Sequence, residues 1–254
     1  MNSTKDMTAA EAIDHLAWLV DMGADETTGN EPVDRFVSSA ERLRREQARQ
    51  PAPAAPPPVA QTRPVKPPVS TEQSVQDSRR IADECKSLAE LEQALQTFDA
   101  CPLKRTASNL CYADGNASAR VLFIGEAPGR DEDIQGKPFV GRSGQLLDKM
   151  LDAIGLDRAS SEAEQSAFIT NVIYWRPPGN RKPTENETLM CMPFVERTIE
   201  LQSPEFIVCL GATPMQRLTG RTDGILKSRG RWLEIEIAGR TIPLMATLHP
   251  AYLL

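Results

Sequence analysis

Residues 125–151 read GEAPGRDEDIQGKPFVGRSGQLLDKML, and residues 120–124 just before them read RVLFI. The RVLFI run has the pattern of a short buried strand. It leads into a Gly-Glu-x-Pro-Gly turn, an acidic cluster, a Pro-Phe-Val-Gly turn and the start of an amphipathic helix. A strand, a Gly/Pro loop carrying carboxylates and then a helix put chemistry at the carboxyl end of a sheet. Open α/β folds bind their ligands there.

The same alternation extends outward. Periodicity predicts helices over 76–97, 143–154, 185–202 and 212–219. It predicts strands over 119–124, 167–173, 205–210, 232–237 and 241–247. This order argues for a parallel sheet with helices on both faces. Upstream, residues 8–23 predict a helix, with Thr8 and Glu11 as a capping box and Gly23 as its stop. Ile13, Leu16 and Val20 form an apolar stripe on it, suited to a protein partner's groove or to packing on its own chain. The proline-rich stretch that follows cannot build a core. The expected organisation is an N-terminal helical arm over 1–45, a disordered proline-rich linker over 46–74 and a catalytic domain over 75–254.

The chain has 254 residues and a net charge of −6. Its pI is about 5.2 and its mean hydropathy −0.38. That balance argues against coating nucleic acid by bulk charge, while leaving room for a local basic strip. No apolar run approaches the roughly 18 residues of a membrane span, and no secretory leader opens the chain. A cytoplasmic protein is expected. The five cysteines contain no CxxC and read as reduced thiols or as partial metal ligands.

Four residues fall at predicted strand ends: Glu126, Phe139, Asn171 and His249. Each has a bland reading. Phe139 could be core, Asn171 could bind loop backbone, and His249 could be a cap. Asp131 and Asp133 read as complements to a helix dipole. The coincidence of four such residues at one sheet edge favours a site. An asparagine amide there can read a base edge, and an aromatic ring can stack on a flat ligand. His15, on the predicted N-terminal helix, reads as a surface or packing residue.

Three stretches carry a family resemblance: GEAPGRDEDIQGKPFVGRSGQLLDKML, FITNVIYWRPPGNRKPT and TLHPAYLL. In order and spacing they resemble the family 4 uracil-DNA glycosylases of the uracil-DNA glycosylase superfamily, from about Phe98 to Leu254. The resemblance implies a three-layer α/β/α fold around a central four-stranded parallel sheet. It implies hydrolysis of the N-glycosidic bond of uracil flipped out of single- or double-stranded DNA, in base excision repair, by a monomer. Phe139 then matches the residue that stacks on uracil, and Asn171 the one that bonds its polar edge. His249 matches the group that stabilises charge on uracil O2, helped by backbone N–H groups at Glu126 and Ala127. Glu126 and Glu132 match acidic pocket positions. Phosphate contacts are expected from Arg176, Arg181 and Lys182 in WRPPGNRK and from Lys227, Arg229 and Arg231 in KSRGR. Leu253, with its neighbours, would wedge into the gap left by the flipped base.

The chain departs from the family in two places. Family members usually hold a 4Fe-4S cluster on four cysteines. Here only Cys101 and Cys191 stand at those positions, and Phe98 and Trp175 occupy the other two. Two thiolates do not hold a cubane in the usual way, so no cofactor is expected. The family pattern also continues with a helix beyond the His249 motif, so that helix is expected to be missing. The degraded cysteine set leaves a rival reading, a non-catalytic uracil- or damage-binding module. A nucleotide-phosphate hydrolase is disfavoured, because the glycine-rich loop lacks the G-x-x-x-x-G-K-[ST] pattern.

Overall fold

The computed structural model describes residues 71–254. The predicted helix over 8–23, and with it the apolar stripe and His15, lies outside the described residues. So does most of the proline-rich stretch.

Two helices open the described part: α1 (Thr71–Glu84) and α2 (Leu88–Thr97). The sequence pattern had them as one helix, 76–97. The helix starts earlier, within the expected linker, and breaks at residues 85–87. Two causes make the break, one local and one distant in sequence. Ser87 caps α2 by accepting from the Glu90 N–H. The Cys85 carbonyl, released from the helical ladder, accepts two bonds from the Arg197 guanidinium, at 3.0 and 2.6 Å.

The sheet follows: β1 (Ala113–Gly115), β2 (Val121–Gly125), β3 (Ala167–Asn171), β4 (Phe206–Leu210), β5 (Trp232–Ile237) and β6 (Arg240–Thr247). Its order is β1-β3-β2-β4-β6-β5. The four central strands, β3, β2, β4 and β6, run parallel, as expected. The two edges, β1 and β5, are antiparallel. Six strands therefore form the sheet instead of four, because antiparallel edge strands extend the parallel core on both sides.

Alternate residues of β2 face opposite sides. Leu122 and Ile124 join a core with Leu91, Leu95, Phe194 and Ile199 of the α1/α2 side and of α5 (Glu185–Gln202). Val121 and Phe123 join a second core with Leu147 and Leu151 of α4 (Arg142–Asp152). Both faces are covered, giving three α/β/α layers. Short helices α3 (Arg130–Gln135), α6 (Ala212–Thr219) and α7 (Ile225–Ser228) complete the set. Among the described residues, no helix is long and apolar enough to cross a membrane.

The register decides where the chemistry sits. Gly125 pairs with Asn171 at the end of β2 and β3, and Leu210 pairs with Thr247 at the end of β4 and β6. All four strand ends open on the same edge.

Candidate active site

A cavity of about 540 Å³ lies at that edge. Glu126, Phe139, Asn171 and His249 all line it, as do Ala127 and Glu132. The sequence-predicted pocket residues are therefore brought together.

Gly125 makes the arrangement possible through space and not through turn geometry. A Cβ there would sit 2.4 Å from Asn171 Oδ1 and 2.5 Å from Phe139 Cζ. Only a residue without a side chain lets the amide and the ring meet at the strand end. Asn171 itself is 1 % exposed, and its Oδ1 is buried with no hydrogen-bond partner. A buried acceptor left open costs about 1–3 kcal/mol, so this atom suits a donor supplied by a ligand.

Phe139 is buried with φ at 54°, in the left-handed region that a bulky residue avoids. Three contacts hold it there. Glu132 Oε1 accepts from the N–H groups of Val140 and Gly141, at 3.0 and 2.8 Å. Arg158 donates to the carbonyls of Pro138 and Phe139, at 3.1 and 3.0 Å. Gly144 leaves room behind, since a Cβ there would fall 1.9 Å from the Phe139 carbonyl oxygen. Such strain persists only where the surroundings over-determine it. Glu132 Oε2 also accepts from the Gly129 N–H at 3.1 Å, so this carboxylate braces both turns of the pocket loop. Asp133 does more than complement a dipole. It is buried, and its Oδ1 accepts from the backbone of Ser108 and Asn109 at 2.8 and 3.2 Å.

His249 caps a single 3₁₀ turn, Pro250–Leu253. Its Nδ1 accepts from the Ala251 N–H at 3.1 Å, which leaves the proton of the neutral ring on Nε2. Burial pushes its pKa below the ordinary 6.5, against the opposing pull of the Glu126 and Glu132 carboxylates. The ring stands 5.4 Å from that of Phe139, centre to centre, at 31°.

Thr213, which sequence reading did not single out, donates to Glu126 Oε2 from the start of α6. The signal available was a Gly-Ala-Thr turn directly after a buried strand.

The expected DNA-facing cations divide. Arg181 and Lys182 line the cavity mouth. Arg181 is bound to the buried Glu187 by two hydrogen bonds, at 2.9 and 2.6 Å, and holds that carboxyl below its usual range. Arg176 donates to Asn180 at 2.7 Å, and Lys227 pairs with Asp223 at 2.9 Å. Arg229 and Arg231 are exposed. Leu253 is exposed beside Tyr252, which lines the cavity.

The position of the family's metal centre is built differently. Phe98 and Trp175 are buried and stack at 6.4 Å, and Phe98 meets Phe194 edge-on at 5.1 Å. Cys101 and Cys191 lie buried in the same core. Cys111 donates instead to the Glu132 carbonyl at 3.0 Å, and Cys85 to Ile81. Among the described residues, no three His, Cys, Asp or Glu side chains gather as metal ligands. Two thiols beside two aromatic rings do not fit a cluster that takes four thiolates.

Comparison with known proteins agrees with this geometry. Residues 112–254 match the model of the uracil DNA glycosylase superfamily. The type-4 uracil-DNA glycosylase of Archaeoglobus fulgidus is 38% identical over 173 residues, covering 66% of this chain and 84% of that protein. That of Thermotoga maritima is 40% identical over 165 residues, covering 65% of this chain and 81% of that protein. That of Saccharolobus solfataricus is 40% identical over 156 residues, covering 59% of this chain and 69% of that protein. The chain belongs to the uracil-DNA glycosylase superfamily, on the side of its type-4 members.

Proposed function

We propose that this protein is a uracil-DNA glycosylase that starts base excision repair by hydrolysing the N-glycosidic bond of uracil flipped out of DNA. The observation that carries the reading is the open, buried Oδ1 of Asn171, set against the Phe139 ring in a cavity that also holds His249. Uracil offers N3–H to that oxygen and O4 to the amide N–H₂. Cytosine presents the opposite pattern and is rejected.

The bond from N1 to C1′ breaks with its electron pair on the base. A cationic, oxocarbenium-like sugar and a uracil anion result. His249 Nε2–H donates to the developing charge on O2, aided by backbone N–H groups at Glu126 and Ala127. Glu126 orients the water whose oxygen bonds C1′, and that water's proton passes to solvent or to the departing base. Glu132 keeps the Phe139 turn in place. Arg176, Lys182, Arg229 and Arg231 meet phosphates, Arg181 serves them by ordering its loop through Glu187, and Leu253 fills the vacated stack. The protein acts as a monomer and without a cluster.

The test is release of free uracil from an oligonucleotide with a single uracil. Tight binding of uracil-DNA without release would instead identify a binding module. Gly125→Ala should lower release about 100-fold, because an added methyl displaces Asn171 or Phe139 by ångströms. A rate within threefold of the parent would show that the pair does not need this close approach.

A further inference from the structure

We infer that Thr213 is a positioning residue for the glycosidic step, fixing the Glu126 carboxylate for its work on the attacking water. The inference rests on the glycosylase reading above.

The hydroxyl of Thr213 donates to Glu126 Oε2. Among the described residues, no hydrogen bond or ion pair reaches Oε1. One oxygen is therefore held while the other stays open, and both residues line the cavity. An unanchored glutamate has three rotatable bonds to order before it can aim a water, and a fixed one has paid that cost in folding.

Among the described helical threonines, this use is unusual. Thr188, Thr198 and Thr219 each donate to the carbonyl four residues back in their own helices. Thr97 bonds its own helix in the same manner. That is the ordinary fate of a helical threonine. Thr213 lies in the first turn of α6, where no helical carbonyl stands behind it, and its hydroxyl turns to the carboxylate instead. The start of α6 is itself anchored. Gly211, with φ at 103°, donates its N–H to the Thr247 carbonyl at 2.9 Å, at the end of the strand that leads to His249. The donor is thus placed by the same strand ends that place the other pocket groups.

The test is single-turnover uracil release, read beside affinity for an oligonucleotide carrying a non-hydrolysable 2′-fluoro-deoxyuridine. Thr213→Val keeps the shape and removes the donor. It should slow release about 10- to 100-fold, the worth of a hydrogen bond to a charged group, with affinity within about twofold. Thr213→Ser should restore the rate to within about threefold. In a Glu126→Gln background, Thr213→Val should add almost nothing. The inference is overturned by a parental rate for Thr213→Val, by a serine variant as slow as valine, or by full additivity with Glu126→Gln. A parent protein that releases no uracil overturns the glycosylase reading itself, and the inference with it.

Discussion

His249→Ala should slow single-turnover uracil release by about 10²–10³ while leaving affinity for uracil-DNA nearly unchanged. The expectation follows from how the ring is held. Ala251 N–H occupies Nδ1, so Nε2 must carry the proton of the neutral imidazole and present it as a donor. Burial keeps the ring neutral by lowering its pKa. A donor aimed where charge develops assists the transition state more than the bound substrate, so the loss falls on rate. The same burial has a consequence for stability. As pH falls below the ordinary value of 6.5, the unfolded chain takes up a proton that the folded site still resists. Stability therefore drops in that window, and the drop should be smaller in His249→Ala. Denaturation midpoints at pH 7.5 and at pH 5.5 would measure it, in the same preparations used for kinetics. A rate loss under fivefold would remove His249 from the chemistry.

The parallel core was legible because buried strands are continuous apolar runs with nothing else to be. Asn171 and His249 were legible because they follow such runs directly. What stayed hidden depended on partners far away in sequence. The break after α1 needs Arg197, 112 residues on, to take up the Cys85 carbonyl. The edge strand β1 is three residues, Ala-Asp-Gly, with no apolar signal. It is set by pairing with β3, next to the point where Thr170 bonds the Tyr112 carbonyl. Helix α3, RDEDIQ, has no apolar stripe either. Asp131 and Asp133 read from sequence as dipole complements and Glu132 as a pocket carboxylate, yet Glu132 and Asp133 turn inward to satisfy five backbone N–H groups between them. The basic runs were visible, but their division was not, because nothing in WRPPGNRK announces that Arg181 belongs to Glu187. Gly125 looked like a turn residue, and its real constraint, the approach of Asn171 and Phe139, exists only across the sheet edge.

On the proposed cluster-free reading, Trp175→Ala should cost about 3–5 kcal/mol of stability, the loss of a large buried ring, and leave metal content unchanged. Trp175 is 2 % exposed and Phe98 is 4 % exposed. Besides stacking on Phe98, Trp175 meets Tyr174 edge-on at 6.2 Å, and Phe98 carries the contact on to Phe194 of α5. These rings tie the segment after α2 to α5 and to the turn beyond β3, the joint that a four-thiolate cluster would otherwise clamp. On that reading, dispersion and apolar burial stand in for metal–sulfur bonds at this joint. The purified protein, prepared anaerobically, should be colourless and hold far less than one iron per chain by elemental analysis. Thermal unfolding should be indifferent to chelators and to air. Phe98→Cys or Trp175→Cys alone should destabilise, since a third thiol still falls short of four and leaves a cavity. The double variant completes the ligand count with Cys101 and Cys191, and brown colour there alone would support the substitution of rings for ligands. A brown parent with about four irons per chain would overturn it and require both Cys85 and Cys111 to leave their present hydrogen bonds for the metal.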